Sequence, residues 1–255
     1  MTGVYTRHWP GADRPALALH CLMGSGAAWG PIAERLNGAV DLRAFDMPGH
    51  GRSPAWEPAD VDYHTAVTRI AAGFITRPVD LIGHSMGATV ALRIAVAAPD
   101  AVRSLTLIEP VLFAAAPDAA QDALDAQIAA FLQAGDHAAA ARVFLAAWGG
   151  GDFDAMPAPI QAQIARQVEL LHDMGPVLRD DSARMLRPDG LEQLDAPVLL
   201  ISGADSPPVV HGIADALAAR LPDVGRATVP DAGHMLPLTH PAQVADLIAL
   251  NLDRA

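Results

Sequence analysis

Short apolar runs recur along the chain, and longer stretches with apolar residues at helical spacing lie between them. The run at 16–20 predicts a buried strand, and the runs at 40–45, 79–82, 102–108, 198–202 and 226–229 predict further strands. The stretches at 29–36, 63–75, 88–98, 212–221 and 242–252 predict helices. In the second of these, Ala66, Val67, Ile70, Ala71 and Phe74 fall on one side. Alternation of this kind predicts an α/β fold: a mostly parallel central sheet flanked by helices.

The alternation breaks between residues 112 and 190. That segment is Ala-rich, reads as helix at 119–132, 137–148 and 160–171, and shows no strand pattern. Gly149-Gly150-Gly151 and the pair Pro157 and Pro159 punctuate it. It is too long for an ordinary connection and too helical for a disordered loop. The expected organisation is a core of residues 1–111 and 191–255, with 112–190 inserted as a helical cap.

Composition narrows the chemistry. Of 255 residues, 51% are apolar and 18% charged, enough for a large core and against wholesale disorder. A net charge of −12 argues against nucleic acid and anionic membrane surfaces as partners. All 17 basic residues are Arg, which excludes reactions that need a lysine amine: P-loop phosphate transfer, Schiff-base aldol chemistry and pyridoxal catalysis. The single cysteine, Cys21, excludes an internal disulfide and multi-cysteine metal sites. Residues 1–15 carry no apolar targeting segment, and no run approaches membrane-span length, so a soluble cytoplasmic location is expected. No metal or cofactor is implied.

Gly83-His84-Ser85-Met86-Gly87 fits Gly-x-Ser-x-Gly, with an apolar strand before it and a helical run after it. That context puts a serine on a tight turn at the carboxyl end of a strand, where open α/β sheets bind ligands. The amino terminus of the following helix directs N–H groups and partial positive charge to the same place. A serine hydroxyl needs a base. His234 fits, in Asp231-Ala232-Gly233-His234-Met235 after the last strand. His20, His50 and His84 sit in turns near the site and read as structural hydrogen-bonders. His137, His172 and His211 read as exposed helix positions, and His240 as a helix-start residue. Two acids at strand ends precede His234: Glu109 and Asp205. Either would fix the imidazole tautomer. The oxyanion of an acyl-transfer reaction needs two donors, assigned to the backbone amides of Met86 and Leu22. Cys21 reads as a buried packing residue.

These motifs resemble the α/β-hydrolase superfamily over nearly the whole chain. His20-Cys21-Leu22-Met23-Gly24-Ser25 with Trp29 resembles its oxyanion loop. Asp46-Met47-Pro48-Gly49-His50-Gly51-Arg52-Ser53 resembles the turn after an early strand, Gly83 to Gly87 the nucleophile elbow, and Asp231 to His234 followed by His240-Pro241 the histidine loop. The resemblance implies the α/β-hydrolase fold, with its helical cap at 112–190. Two positions depart from the family pattern. Cys21 replaces a usual glycine, and Ser206 stands where many members carry the acid. Glu109 matches the position some branches use instead, which favours it over Asp205.

A serine at the elbow argues against the dehalogenases and epoxide hydrolases of the family, which use Asp there, and the absence of lysine against its plant-type hydroxynitrile lyases. The expected activity is a serine carboxylesterase that cleaves small to medium apolar esters through an acyl-enzyme on Ser85. Lactone, thioester or C–C bond hydrolysis and perhydrolysis are alternatives, as is a non-catalytic ligand-binding role. Phe113, Phe131, Phe144, Trp148, Phe153 and Met156 are candidates to line an apolar pocket, with core packing as their competing use. Segment 112–190 has 11 Asp and Glu against five Arg, which disfavours a strongly anionic CoA thioester. The expected partner is a small-molecule ester.

Overall fold

The computed structural model describes residues 3–57 and 60–255. Met1 and Thr2, which begin the stretch read for a targeting signal, lie outside them. Seven strands form one sheet: β1 (Thr6–Trp9), β2 (Pro15–Leu19), β3 (Asp41–Phe45), β4 (Val79–His84), β5 (Val102–Ile108), β6 (Val198–Gly203) and β7 (Val224–Val229). Their order is β1-β3-β2-β4-β5-β6-β7. The edge strand β1 is antiparallel to β3, and every other neighbouring pair is parallel.

Strand side chains alternate between two cores. Leu17, Leu19, Leu81, Leu105, Leu107 and Leu200 point to one face. There they meet α2 (Tyr63–Ala72), α3 (Met86–Ala97) and α8 (Pro208–Ala218). Ala16, Ala18, Ile82, Ile108, Leu199 and Ile201 point to the other, against α1 (Gly30–Leu36), the short α9 (Leu236–Thr239) and α10 (Pro241–Leu252). Covering both faces is what a parallel sheet of near-continuous apolar strands requires. The buried Asp80 carboxylate on β4 is paired, accepting from Arg14 at 2.7 and 3.0 Å and from the Ser104 hydroxyl at 2.7 Å.

Between β5 and β6 the chain forms α4 (Ala119–Gln133), α5 (His137–Trp148), α6 (Ala158–Gln167) and α7 (Leu170–Asp180), with no strand among the described residues. These helices have small cores of their own, one of Ala141, Leu145, Phe153 and Ile164, another of Ile128, Ala140 and Val168. The stretch expected as one helix over 160–171 is divided between α6 and α7 at Val168-Glu169. Among the described residues no helix is long and apolar enough to cross a membrane.

Candidate active site

Ser85, Glu109, Asp205 and His234 all follow the carboxyl ends of neighbouring parallel strands, β4 to β7. Ser85 turns the chain from β4 into α3 with φ 57° and ψ −119°, a conformation a non-glycine residue holds only under constraint. Its amide donates to the Ile108 carbonyl at 2.9 Å, which ties the elbow to β5. The glycines beside it are needed for close approach. A Cβ on Gly83 would fall 2.4 Å from the Gly87 carbonyl oxygen, and one on Gly87 would fall 2.3 Å from the Leu19 carbonyl oxygen.

Three side chains connect in series. Ser85 Oγ lies 3.0 Å from His234 Nε2, and His234 Nδ1 lies 2.9 Å from Glu109 Oε2. With Nδ1–H donating to the carboxylate, Nε2 is left as the acceptor for the serine proton. All three residues are buried. Glu109 adopts φ 52° and its amide continues the ladder to the Ile201 carbonyl at 2.9 Å. Its other oxygen, Oε1, accepts from the Gly203 amide at 2.6 Å and the Ser206 hydroxyl at 2.8 Å.

Asp205 does not join this series. Its side chain is exposed. Its backbone amide instead donates to Ala232 at 2.8 Å and supports the loop that carries His234. Ser206, at the position where the family resemblance would place an acid, is a donor to Glu109. The sequence reading missed that role, and also the edge-on contact of Trp148 with the His234 ring, centroids 4.5 Å apart.

The two residues whose amides were read as oxyanion donors, Leu22 and Met86, line a cavity together with Ser85. The Met86 amide opens α3, where the first N–H groups have no partner within the helix. Leu22 sits in a turn closed by Gly24 N–H to the Cys21 carbonyl at 3.1 Å, a bond in which its own amide takes no part. The following residue, Met23, takes the left-handed φ of 62°. Three buried groups anchor this loop. His20 Nδ1–H donates to the Cys21 carbonyl at 2.7 Å and its Nε2 accepts from the Met47 amide at 2.9 Å. His50 Nε2 accepts from the Met23 amide at 3.0 Å. Asp46 accepts from the amides of Gly26 and Arg52, each at 2.8 Å.

The turn histidines are hydrogen-bonders, as expected from sequence. His84 Nε2–H donates to the His234 carbonyl at 2.8 Å and so holds the base from behind. Burial pushes the pKa of His20 and His84 down to about 3 and that of His50 down to about 4, so all three are neutral near pH 7. Cys21 is buried and its thiol is pushed up to about 12 by the same desolvation. His240 stands at the N-cap of α10, where a helix-start residue was expected.

Of the six candidate pocket residues, Phe113, Phe144, Trp148 and Met156 line cavities that reach Ser85. Phe131 and Phe153 pack in the small cores of the helical segment.

The sequence profile of the Alpha/beta hydrolase family matches residues 16–247. The lipase LipV of Mycobacterium tuberculosis is 33% identical over 107 residues, a match covering 42% of this chain and 41% of the lipase, so the aligned part spans less than half of that relative. The pimeloyl-[acyl-carrier protein] methyl ester esterase of Methylococcus capsulatus is 29% identical over 88% of each chain. Among solved structures, MGS-M2, an alpha/beta hydrolase enzyme from a Medee basin deep-sea metagenome library, superposes with a TM-score of 0.76 at 16% identity, covering 99% of this chain and 94% of the other.

Proposed function

The chain belongs to the alpha/beta hydrolase family, and we propose that it is a serine carboxylesterase acting on small to medium apolar esters without a cofactor. The observation that carries this reading is the unbroken series Glu109–His234–Ser85, at 2.9 and 3.0 Å. The esterase and lipase relatives agree with it.

In this mechanism His234 Nε2 takes the proton from Ser85 Oγ as the oxygen attacks the acyl carbon. Glu109 stabilises the imidazolium, and the Leu22 and Met86 amides receive the oxyanion. Collapse expels the alcohol, which takes the proton from His234 and leaves an acyl group on Ser85. Water, deprotonated by His234, then attacks that acyl group and releases the acid. The helices between β5 and β6 act as the cap over this site.

Treatment of the purified protein with a fluorophosphonate, followed by intact mass and peptide mapping, tests the reading. A single adduct on Ser85, slowed by orders of magnitude in His234→Ala, is the expected result. Absence of an adduct on folded protein would favour the ligand-binding alternative.

A further inference from the structure

Two cavities meet at Ser85, and they differ in size and chemistry. The larger, about 240 Å³, is lined by His234, Met235 and Leu238 on one side and by Met156, Ile160 and Ile164 on the other. The smaller, about 40 Å³, is lined by Met86 and Val111 from the sheet side and by Met174 and Leu178 from α7. Leu22, Ser85, Phe144 and Trp148 line both.

Proton transfer allocates the two. His234 must protonate the departing oxygen, so the alcohol lies on the side lined by His234, which is the larger cavity. The acyl group then occupies the smaller chamber beside Met86. That chamber is not wholly apolar. Gln121 and Asp125, one turn apart on α4, line it too. Gln121 Nε2 donates to Asp125 Oδ1 at 2.9 Å, and Arg179 Nη1 stands 2.8 Å from Asp125 Oδ2. A carboxylate can accept about four hydrogen bonds, so Asp125 keeps acceptor capacity beyond these two contacts. Arg179 does not line the chamber, so an incoming group meets the acid and not its counterion.

We propose that Gln121 and Asp125 determine acyl specificity, selecting a short acyl chain that bears a neutral hydrogen-bond donor, such as a hydroxyl, and rejecting a terminal carboxylate. The inference rests on the ester-hydrolase reading. Its test compares kcat/KM for ethyl butanoate, ethyl 3-hydroxybutanoate, ethyl octanoate and monoethyl succinate. The 3-hydroxybutanoate should exceed the butanoate by about tenfold, the gain expected of a hydrogen bond to a charged acceptor. The octanoate and the succinate monoester should both fall below the butanoate. In Asp125→Leu and in Asp125→Asn the hydroxybutanoate-to-butanoate ratio should drop toward one. Because the ratio is internal to each variant, loss of folded protein cancels from it. A wild-type preference for octanoate, or a ratio that survives Asp125→Leu, overturns the proposal while leaving the esterase reading intact. Failure to turn over all four esters, with Ser85 unlabelled by a fluorophosphonate, overturns both.

Discussion

Ser206 donates its hydroxyl to Glu109 Oε1 at 2.8 Å, so the residue three positions beyond Gly203 steadies the carboxylate instead of supplying one. The other oxygen, Oε2, is thereby free to face His234. Glu109→Gln should lower kcat by about 10⁴, the scale seen when a triad acid loses its charge and the base its tautomer. Ser206→Ala should cost about tenfold, the worth of one hydrogen bond to a charged group. Asp205→Asn, on an exposed side chain, should stay within about twofold. Steady-state kinetics on phenyl acetate reads all three, and a larger effect at Asp205 than at Glu109 would reverse the assignment of the acid.

The elbow glycines should tolerate no side chain. Gly83→Ala and Gly87→Ala each put a Cβ within 2.4 Å of a backbone carbonyl oxygen, and each should destabilise by about 3 kcal/mol or more. Gly30→Ala is the contrast. Its Cβ meets nothing within 4 Å and its backbone is right-handed helical, with φ −54°. That change should be neutral or stabilise by about 0.5 kcal/mol. Urea denaturation of the three variants gives the comparison; equal losses at Gly30 and Gly87 would refute it.

Stability should fall on mild acidification. His20, His64 and His84 are pushed down to about 3 and His50 to about 4 by burial, from an ordinary value of 6.5. Below pH 6.5 the unfolded chain binds protons that the folded chain does not, so the equilibrium moves toward unfolding as pH drops. The stability these groups contribute is complete above about pH 6.5 and declines continuously as pH falls toward 4. Each histidine adds a slope of up to about 1.4 kcal/mol per pH unit. Urea midpoints at pH 7 and pH 5 should therefore differ clearly, and a flat profile would show that these rings are protonated in the native state.

Cys21 should be inert. With the thiol pushed up to about 12 and the residue buried, almost no thiolate exists at pH 8. Iodoacetamide should leave both mass and activity of the native protein unchanged over hours and should alkylate the residue in urea. Rapid native alkylation would contradict the packing role.

What the sequence reveals depends on whether a feature is local. Of the six parallel strands, β2, β4, β5 and β6 were readable because each is a mostly apolar run flanked by turn residues, while β3 and β7 carry the exposed Arg43 and Arg226 and show a looser pattern. Strand β1 was not: Thr6–Trp9 alternates exposed and half-buried positions, and its place is set by backbone pairing with β3. The division between α6 and α7 was hidden because Ile164, Val168 and Leu171 keep helical spacing across it, while Gly175 and Pro176 disguise the continuation of α7. Ser85 and His234 were legible through turn chemistry next to strand ends. The choice between Glu109 and Asp205 was not settled by pattern, since both follow strands, and what separates them is tertiary. One is buried against the His234 ring, the other faces solvent. Gln121 and Asp125 gave no signal at all, because on a helix that mixes alanine with polar and apolar residues nothing marks which polar positions face a cavity.

The amide of Gly203, at the end of β6, donates to Glu109, just past the end of β5, at 2.6 Å. The polypeptide leaves the sheet and comes back to it at two points fastened together, so the excursion between them behaves as a cassette with clasped ends. Its helices are still tied to the core: Leu170, Met174 and Val177 pack into the sheet-side cluster, and Trp148 meets the His234 ring. In the proposed esterase, changes in those helices would alter the lining around Ser85 while the Gly203–Glu109 fastening stays in place.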